Sequence, residues 1–160
     1  MTSYCILKQS PVDLLLVANE TELLGIYFDG RSHVPAERSA WSLEPRHPVL
    51  RATQEQLEEF LAGKRTRFSL PFKLRGTEFQ ERVWREISRI PYGQTISYGE
   101  LARRAGNPRA IRAAGMNTGR NPVAIVVPCH RVIGKDGSIT GYAGGLEWKR
   151  RLLNLEKQPL

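Results

Sequence analysis

No run of about eighteen or more apolar residues occurs anywhere in this 160-residue chain, so no segment is fit to cross a bilayer as a helix. The N-terminus also lacks a basic stretch followed by an apolar one, the pattern of an export signal, and the expectation is a cytoplasmic chain with no membrane partner. Cysteine is scarce: Cys5 and Cys129 are the only two. A chain without export signals is normally kept reduced, which sets a disulfide aside. Together with His33, His47 and His130 the two thiols form no zinc spacing, so neither a metal nor a cofactor is expected. The length allows a real core in one domain or two small ones, but not separate catalytic and regulatory domains of ordinary size.

Acidic residues are short in one half only. Residues 1–75 hold ten Lys/Arg against nine Asp/Glu, whereas residues 76–160 hold fourteen against seven, and the formal net charge is +8. A basic surplus of this kind favours a polyanionic partner through counterion release. A soluble basic surface without such a partner is the plainer reading.

Ile6-Leu7, Leu14 to Val17 and Leu23 to Phe28 are short apolar segments separated by polar breaks, predicting three antiparallel strands in a meander. Asp29 to Pro48 reads as a loop. Leu50, Leu57, Phe60 and Leu61 share a helical face that Gly63 ends. These pieces predict a small α/β domain over residues 1–70, joined by a connector to a second domain over residues 76–160.

In that second domain, Thr77-Glu78-Phe79-Gln80 is a capping box, and Phe79, Val83, Ile87 and Ile90 follow at helical spacing. The pattern predicts a helix over 78–89. Ser97-Tyr98-Gly99-Glu100 repeats the capping pattern for a short helix that Gly106 closes, and Asn107-Pro108 then suits the start of another. Two short helices so joined form a helix-turn-helix. Ala110, Ile111, Ala114 and Gly115 are assigned to the inner side of its second helix, and Arg109, Arg112, Ala113 and Met116 to the outer side, where arginines can meet phosphates. Similar helix pairs occur in proteins that never touch DNA. Asn117 to Pro122 reads as a loop, Pro122 to Val127 as a buried strand, residues 134–145 as a glycine-rich loop and Glu147 to Glu156 as a last helix, with fraying beyond it. The fold class is α+β: a sheet-and-helix domain followed by a mostly helical one.

Chemistry concentrates at Pro128-Cys129-His130-Arg131. A thiol beside an imidazole, placed at the end of a rigid apolar segment, is an arrangement for an activated sulfur nucleophile. Cys129 also reads as a small buried hydrophobe and His130 as a satisfied structural imidazole. Glu156, on a helix able to pack behind the strand, is the acid placed to orient His130, or else a solvated helix-end carboxylate. Asn121 can fix the turn into the reactive segment or simply make an Asn-Pro turn. Tyr98 and Tyr142 offer flat faces and hydroxyls to a heteroaromatic substrate beside the glycines of residues 141–145.

Asn121-Pro122, Pro128-Cys129-His130-Arg131-Val132, Gly141-Tyr142-Ala143-Gly144-Gly145-Leu146 and Lys149, taken with Tyr98 and Asn107-Pro108, resemble the O6-alkylguanine-DNA alkyltransferase family. The resemblance is strong over residues 76–156. It implies a ribonuclease H-like N-terminal domain and single-use transfer of an alkyl group from O6 of guanine, and from O4 of thymine, to Cys129. His130 would take the thiol proton through a water, with Glu156 orienting it and Asn121 organising the turn. Arg112 would enter duplex DNA from the minor-groove side. Tyr98 would contact the rotated guanine, Tyr142 would wall the pocket, the Ala143 backbone NH would bind the substituted oxygen, and the Cys129 and Val132 carbonyls would receive the guanine amino group. Some relatives have serine where this chain has Ala143, which affects pocket polarity. The implied partner is double-stranded DNA carrying O6-alkylguanine, bound by a monomer with scope for cooperativity along the duplex. A noncatalytic binder of alkylated DNA, a sequence-specific regulator and a general cysteine hydrolase are the competing readings.

Overall fold

The computed structural model describes residues 1–31 and 34–157. His33 and the expected fraying after Lys157 lie outside them. Among the described residues the chain forms two compact units, one of Met1–Lys73 with Pro122–Ala124, the other of Leu74–Asn121 with residues 125–157.

In the first unit, β1 (Ser3–Leu7), β2 (Leu14–Ala18) and β3 (Leu23–Phe28) pair antiparallel in the predicted meander. β2 is buried at all five positions, as its unbroken Leu14-Leu15-Leu16-Val17-Ala18 run demands, while β1 alternates. The stretch read as a loop holds more order than expected. Residues Ala36–Ala40 make a 3-10 turn, and β4 (Ser42–Leu43) pairs parallel to β1, giving the order β3-β2-β1-β4. Two residues of strand are too short for a periodic signal.

Helix α1 (Pro48–Leu61) packs on this sheet. Pro48 occupies its first turn, the His47 ring accepts from the Val49 NH at 3.2 Å, and Gly63 follows at φ +77°. Its buried face is Val49, Leu50, Thr53, Leu57 and Phe60, with Leu61 only half-buried. Thr53 enters the apolar face because its hydroxyl donates to the Val49 carbonyl at 2.7 Å, leaving only its methyl to pack.

In the second unit, α2 (Glu78–Ser88) opens with both halves of the capping box at Thr77 and Gln80. Trp84 joins Val83 and Ile87 on the buried face, and its indole NH donates to the Asn117 carbonyl at 2.8 Å. β5 (Ile96–Ser97) leads into α3 (Tyr98–Arg104), and α4 (Ile111–Gly119) completes the helix-turn-helix. Asn107 does not cap α4. Its carboxamide oxygen accepts from the Arg109 NH at 3.2 Å and its carbonyl from the Ala110 NH at 3.0 Å, closing a tight turn, so the helix starts three residues late. The buried side of α4 is Ala114, Asn117 and Thr118, whereas Ile111, assigned inward from sequence, is exposed. Asn117, expected in a loop, belongs to the helix.

Residues 122–127 are no strand. Val123 bridges Ile26 of β3, and Ile125 then adopts φ +71°, a left-handed conformation costly for a β-branched residue. A 3-10 turn (Cys129–Arg131) and β6 (Val132–Ile133) follow, β6 pairing parallel to β5. The last helix, α5 (Leu146–Glu156), buries Trp148, Lys149, Leu152, Leu153 and Glu156.

Candidate active site

Cys129 opens the 3-10 turn instead of ending a strand. Its NH donates to the Val127 carbonyl at 2.8 Å and the Arg131 NH to the Pro128 carbonyl at 2.9 Å. Asn121 donates from Nδ2 to the Val127 carbonyl at 2.8 Å, tying the approach to the thiol. Because a 3-10 turn winds the chain, the side chains of residues 129–131 fan out in different directions, unlike neighbours on a strand. His130 and Arg131 both reach α5.

There they meet Glu156. His130 Nε2 lies 2.6 Å from Glu156 Oε2, and Arg131 donates from Nε to Oε1 at 2.8 Å and from Nη2 to Oε2 at 2.9 Å. The Gly93 NH adds a fourth donor at 3.2 Å. Burial alone would raise the Glu156 carboxyl, but hydrogen bonds from His130 and Arg131, with the charge beside it, pull it down to about 2. Burial lowers His130 from its usual range, and Glu156 opposes that only in part. The imidazole is therefore neutral at neutral pH beside an ionised carboxylate. Only Nε2–H can face that carboxylate, which leaves the lone pair on Nδ1. Nδ1 is buried and has no hydrogen-bond partner among the described residues.

Burial pushes the Cys129 thiol up to about 12, against an Asn121 side-chain hydrogen bond and the Lys149 charge, both of which favour thiolate. The resting sulfur is a thiol. Tyr142 places a buried hydroxyl near both Cys129 and Glu156, and burial first, then the neighbouring thiol and carboxylate, raise it and keep it neutral. Ala143 sits half-buried in the turn that the Gly145 NH closes onto the Tyr142 carbonyl at 2.9 Å. Tyr98, first residue of α3, accepts at its hydroxyl from Thr140 at 3.0 Å.

Two residues of this constellation carried no assigned role from sequence. Arg131 is one. Lys149 is the other: fully buried, it donates from Nζ to the Val132 carbonyl at 2.7 Å and the Thr140 carbonyl at 3.3 Å, and lies 5.8 Å from the centre of the Tyr98 ring. Burial lowers its amine to about 8. Buried cations of this kind are invisible to periodicity, which treats Lys and Arg as surface. The Val132 carbonyl thus already holds one donor, and its second lone pair is what remains for a ligand.

Arg112, Met116 and Ile111 form the exposed face of α4, with Met116 and Ile111 about half accessible at 56% and 49%. Ala113 is half-buried, and Arg109 is exposed in the turn before the helix. The Tyr98 ring packs beside Gly115 of α4, where an added Cβ would make an ordinary van der Waals contact with it at 3.6 Å. Glu100, expected as a cap, accepts instead from Arg103 and Arg104, while Ser97 alone caps α3. Among the described residues no cluster of His, Cys, Asp or Glu could hold a metal, and no helix is long and apolar enough to cross a membrane.

Residues 78–158 match the model of the 6-O-methylguanine DNA methyltransferase DNA binding domain, and residues 4–74 that of the ribonuclease-like domain of the same proteins. A methylated-DNA–protein-cysteine methyltransferase of Mycolicibacterium paratuberculosis is 47% identical over 93% of this chain and 89% of its own length. The constitutive one of Bacillus subtilis is 39% identical over 97% and 96%. Among solved structures, the Mycobacterium tuberculosis O6-methylguanine methyltransferase superposes with TM-score 0.89 at 41% identity, covering 98% of this chain and 93% of that one. The M. tuberculosis protein solved in complex with DNA gives 0.88 at 41% identity, over 97% and 92%.

Proposed function

Because the chain belongs to the 6-O-methylguanine DNA methyltransferase family, we propose that Cys129 is the atom site at which its transferred group ends. The activity is direct reversal of DNA damage: an alkyl group passes from a damaged guanine to a cysteine of the protein, which is consumed in a single turnover. The protein binds double-stranded DNA.

One observation supports the assignment of roles: His130 Nε2 lies 2.6 Å from Glu156 Oε2 while Nδ1 has no partner among the described residues, the geometry that a neutral ring with Nε2–H on the carboxylate and a basic Nδ1 turned away from it would have. With the thiol held near 12, no standing thiolate exists at neutral pH. The proton must leave sulfur as the new bond forms. It passes through a water to Nδ1, and Glu156 neutralises the imidazolium. The sulfur–carbon bond forms as the carbon–O6 bond breaks, its electron pair moving into guanine. Asn121 and Lys149 stabilise the developing sulfur charge. Since Thr140 donates to the Tyr98 hydroxyl, the Tyr98 hydrogen is free to serve a ring nitrogen of the departing purine. The His130 imidazolium then gives up the thiol proton to solvent and Tyr98 regains one from it, so the net change is S–H and O–CH3 becoming S–CH3 and neutral guanine with that hydrogen on its ring nitrogen. The same displacement applies to O4-alkylthymine.

A base stacked in a duplex offers no line of attack, and rotating it out costs a few kcal/mol. Arg112 on the exposed face of α4 enters from the minor groove and fills the space, with Ala113 and Met116 alongside and Arg109 on phosphate. Tyr142, the Ala143 NH and the Val132 carbonyl line the pocket. The working unit is a cytoplasmic monomer, able to bind cooperatively along DNA, with no metal or cofactor. Peptide-resolved mass spectrometry after reaction with O6-methylguanine DNA tests the acceptor. The Cys129 peptide should gain the mass of one CH2 and the C129S protein none; label on another peptide would refute the assignment.

A further inference from the structure

Arg131 takes no part in the transfer written above, yet its hydrogen bonds are spent around the reacting pair. Its guanidinium is buried, with Nε and Nη2 on the two oxygens of Glu156 and Nη1 donating to the Ile90 carbonyl at 2.7 Å. The Tyr92 ring lies 5.6 Å from it. A fork–fork pair of this geometry fixes both carboxylate oxygens as acceptors. With the Gly93 NH also on Oε1, a protonated Glu156 would have to turn an O–H against a donor already in place.

The imidazole has two neutral forms, and only one is useful. If Glu156 could protonate, its O–H would donate to Nε2 and the ring proton would sit on Nδ1, leaving no base toward the thiol. We propose that Arg131 is a positioning residue that sets the tautomer of His130: by holding Glu156 permanently as an acceptor it keeps the proton on Nε2 and the lone pair on Nδ1. The inference rests on the acceptor role of Cys129 for its kinetic arm only.

Other groups face this cluster. Tyr92, in the turn after α2, and Tyr142, in the turn before α5, both feel Glu156, and burial keeps both hydroxyls neutral. Lys149 of α5 faces His130 and adds positive charge that disfavours the imidazolium. Within the neutral range the carboxylate and the imidazole are therefore the groups whose proton position Arg131 governs.

The test is isotope-edited NMR of the histidine ring nitrogens in the full chain without DNA, for wild type, Arg131→Lys and Arg131→Met, beside transfer rates on a lesion duplex. Wild type should show Nε2–H from about pH 5 to about pH 8, and Arg131→Lys should keep that form, because its charge remains against Glu156. Arg131→Met should populate Nδ1–H at the acid end. Its rate should fall about tenfold or more near pH 6 and recover to within a few-fold near pH 8.5, an acid limb that wild type lacks. A folded Arg131→Met with unchanged tautomer and a pH-independent loss would make Arg131 a packing residue and overturn the proposal. Should the Met variant not fold, the wild-type spectrum decides, since a proton on Nδ1 overturns it and one on Nε2 throughout supports it. Failure of wild type to transfer would strike the role of Cys129 and leave the tautomer result standing.

Discussion

Glu156, which the proposed mechanism sets behind His130, also bears on stability. Its folded carboxyl lies at about 2 against an ordinary 4.5, so it releases its proton more readily folded than unfolded. The resulting stabilisation is fully present above about pH 4.5 and is lost as pH falls through about 2. Glu156→Gln should remove that dependence: its melting temperature should fall less steeply than wild type's between about pH 5 and pH 2, measured by thermal denaturation. Equal slopes would contradict the buried ionised carboxylate. At this scale Cys129 and His130 were legible because their types name their chemistry. Arg131 and Lys149 were not, because charge in a sequence reads as solvent-facing, and only the fold reveals that the Glu156 carboxylate and the Val132 carbonyl wait for them.

Helix α4 presents Arg112, Ile111 and Met116 to solvent while Ala114, Asn117 and Thr118 hold it to the unit. Gln80 donates to the Asn117 side chain at 3.2 Å and Trp84 to its carbonyl, so α2 fixes the roll of α4 and with it the direction of Arg112. Arg112→Ala should therefore slow repair of duplex lesions by about tenfold or more while leaving reaction with a free O6-substituted guanine within about twofold, because only the duplex needs a base rotated out. Equal losses in paired kinetic assays would move Arg112 into the chemical step. Existence and order of the long elements were legible from capping boxes and periodicity, but boundaries near turns were not. Asn107 is as good an acceptor in a tight turn as in a cap, and the two uses differ by a few residues of helix. The apolar run from Pro122 read as strand because nothing in Ile125 announces a left-handed backbone.

Across the whole molecule, the sheet-and-helix unit and the helix-turn-helix unit were legible as two regions because composition and charge change between them. What escaped the sequence is that Pro122–Ala124 returns to the first unit through Val123 and Ile26, a pairing between residues nearly a hundred positions apart that no local pattern encodes. The basic surplus falls in the half that carries α4 and Cys129, where polyanion binding and chemistry are needed together. A protein that ends as a thioether has no hydrolytic return, so its capacity is set by its number of molecules. NMR of an isotope-labelled methyl group, followed from O6-methylguanine DNA into excess-substrate mixtures, counts that capacity and identifies the acceptor atom at once. The expected result is one S-methyl signal per protein molecule, then no further change, and none with C129S; continued loss of O-methyl beyond one equivalent, or an S-methyl signal without that sulfur, would contradict it.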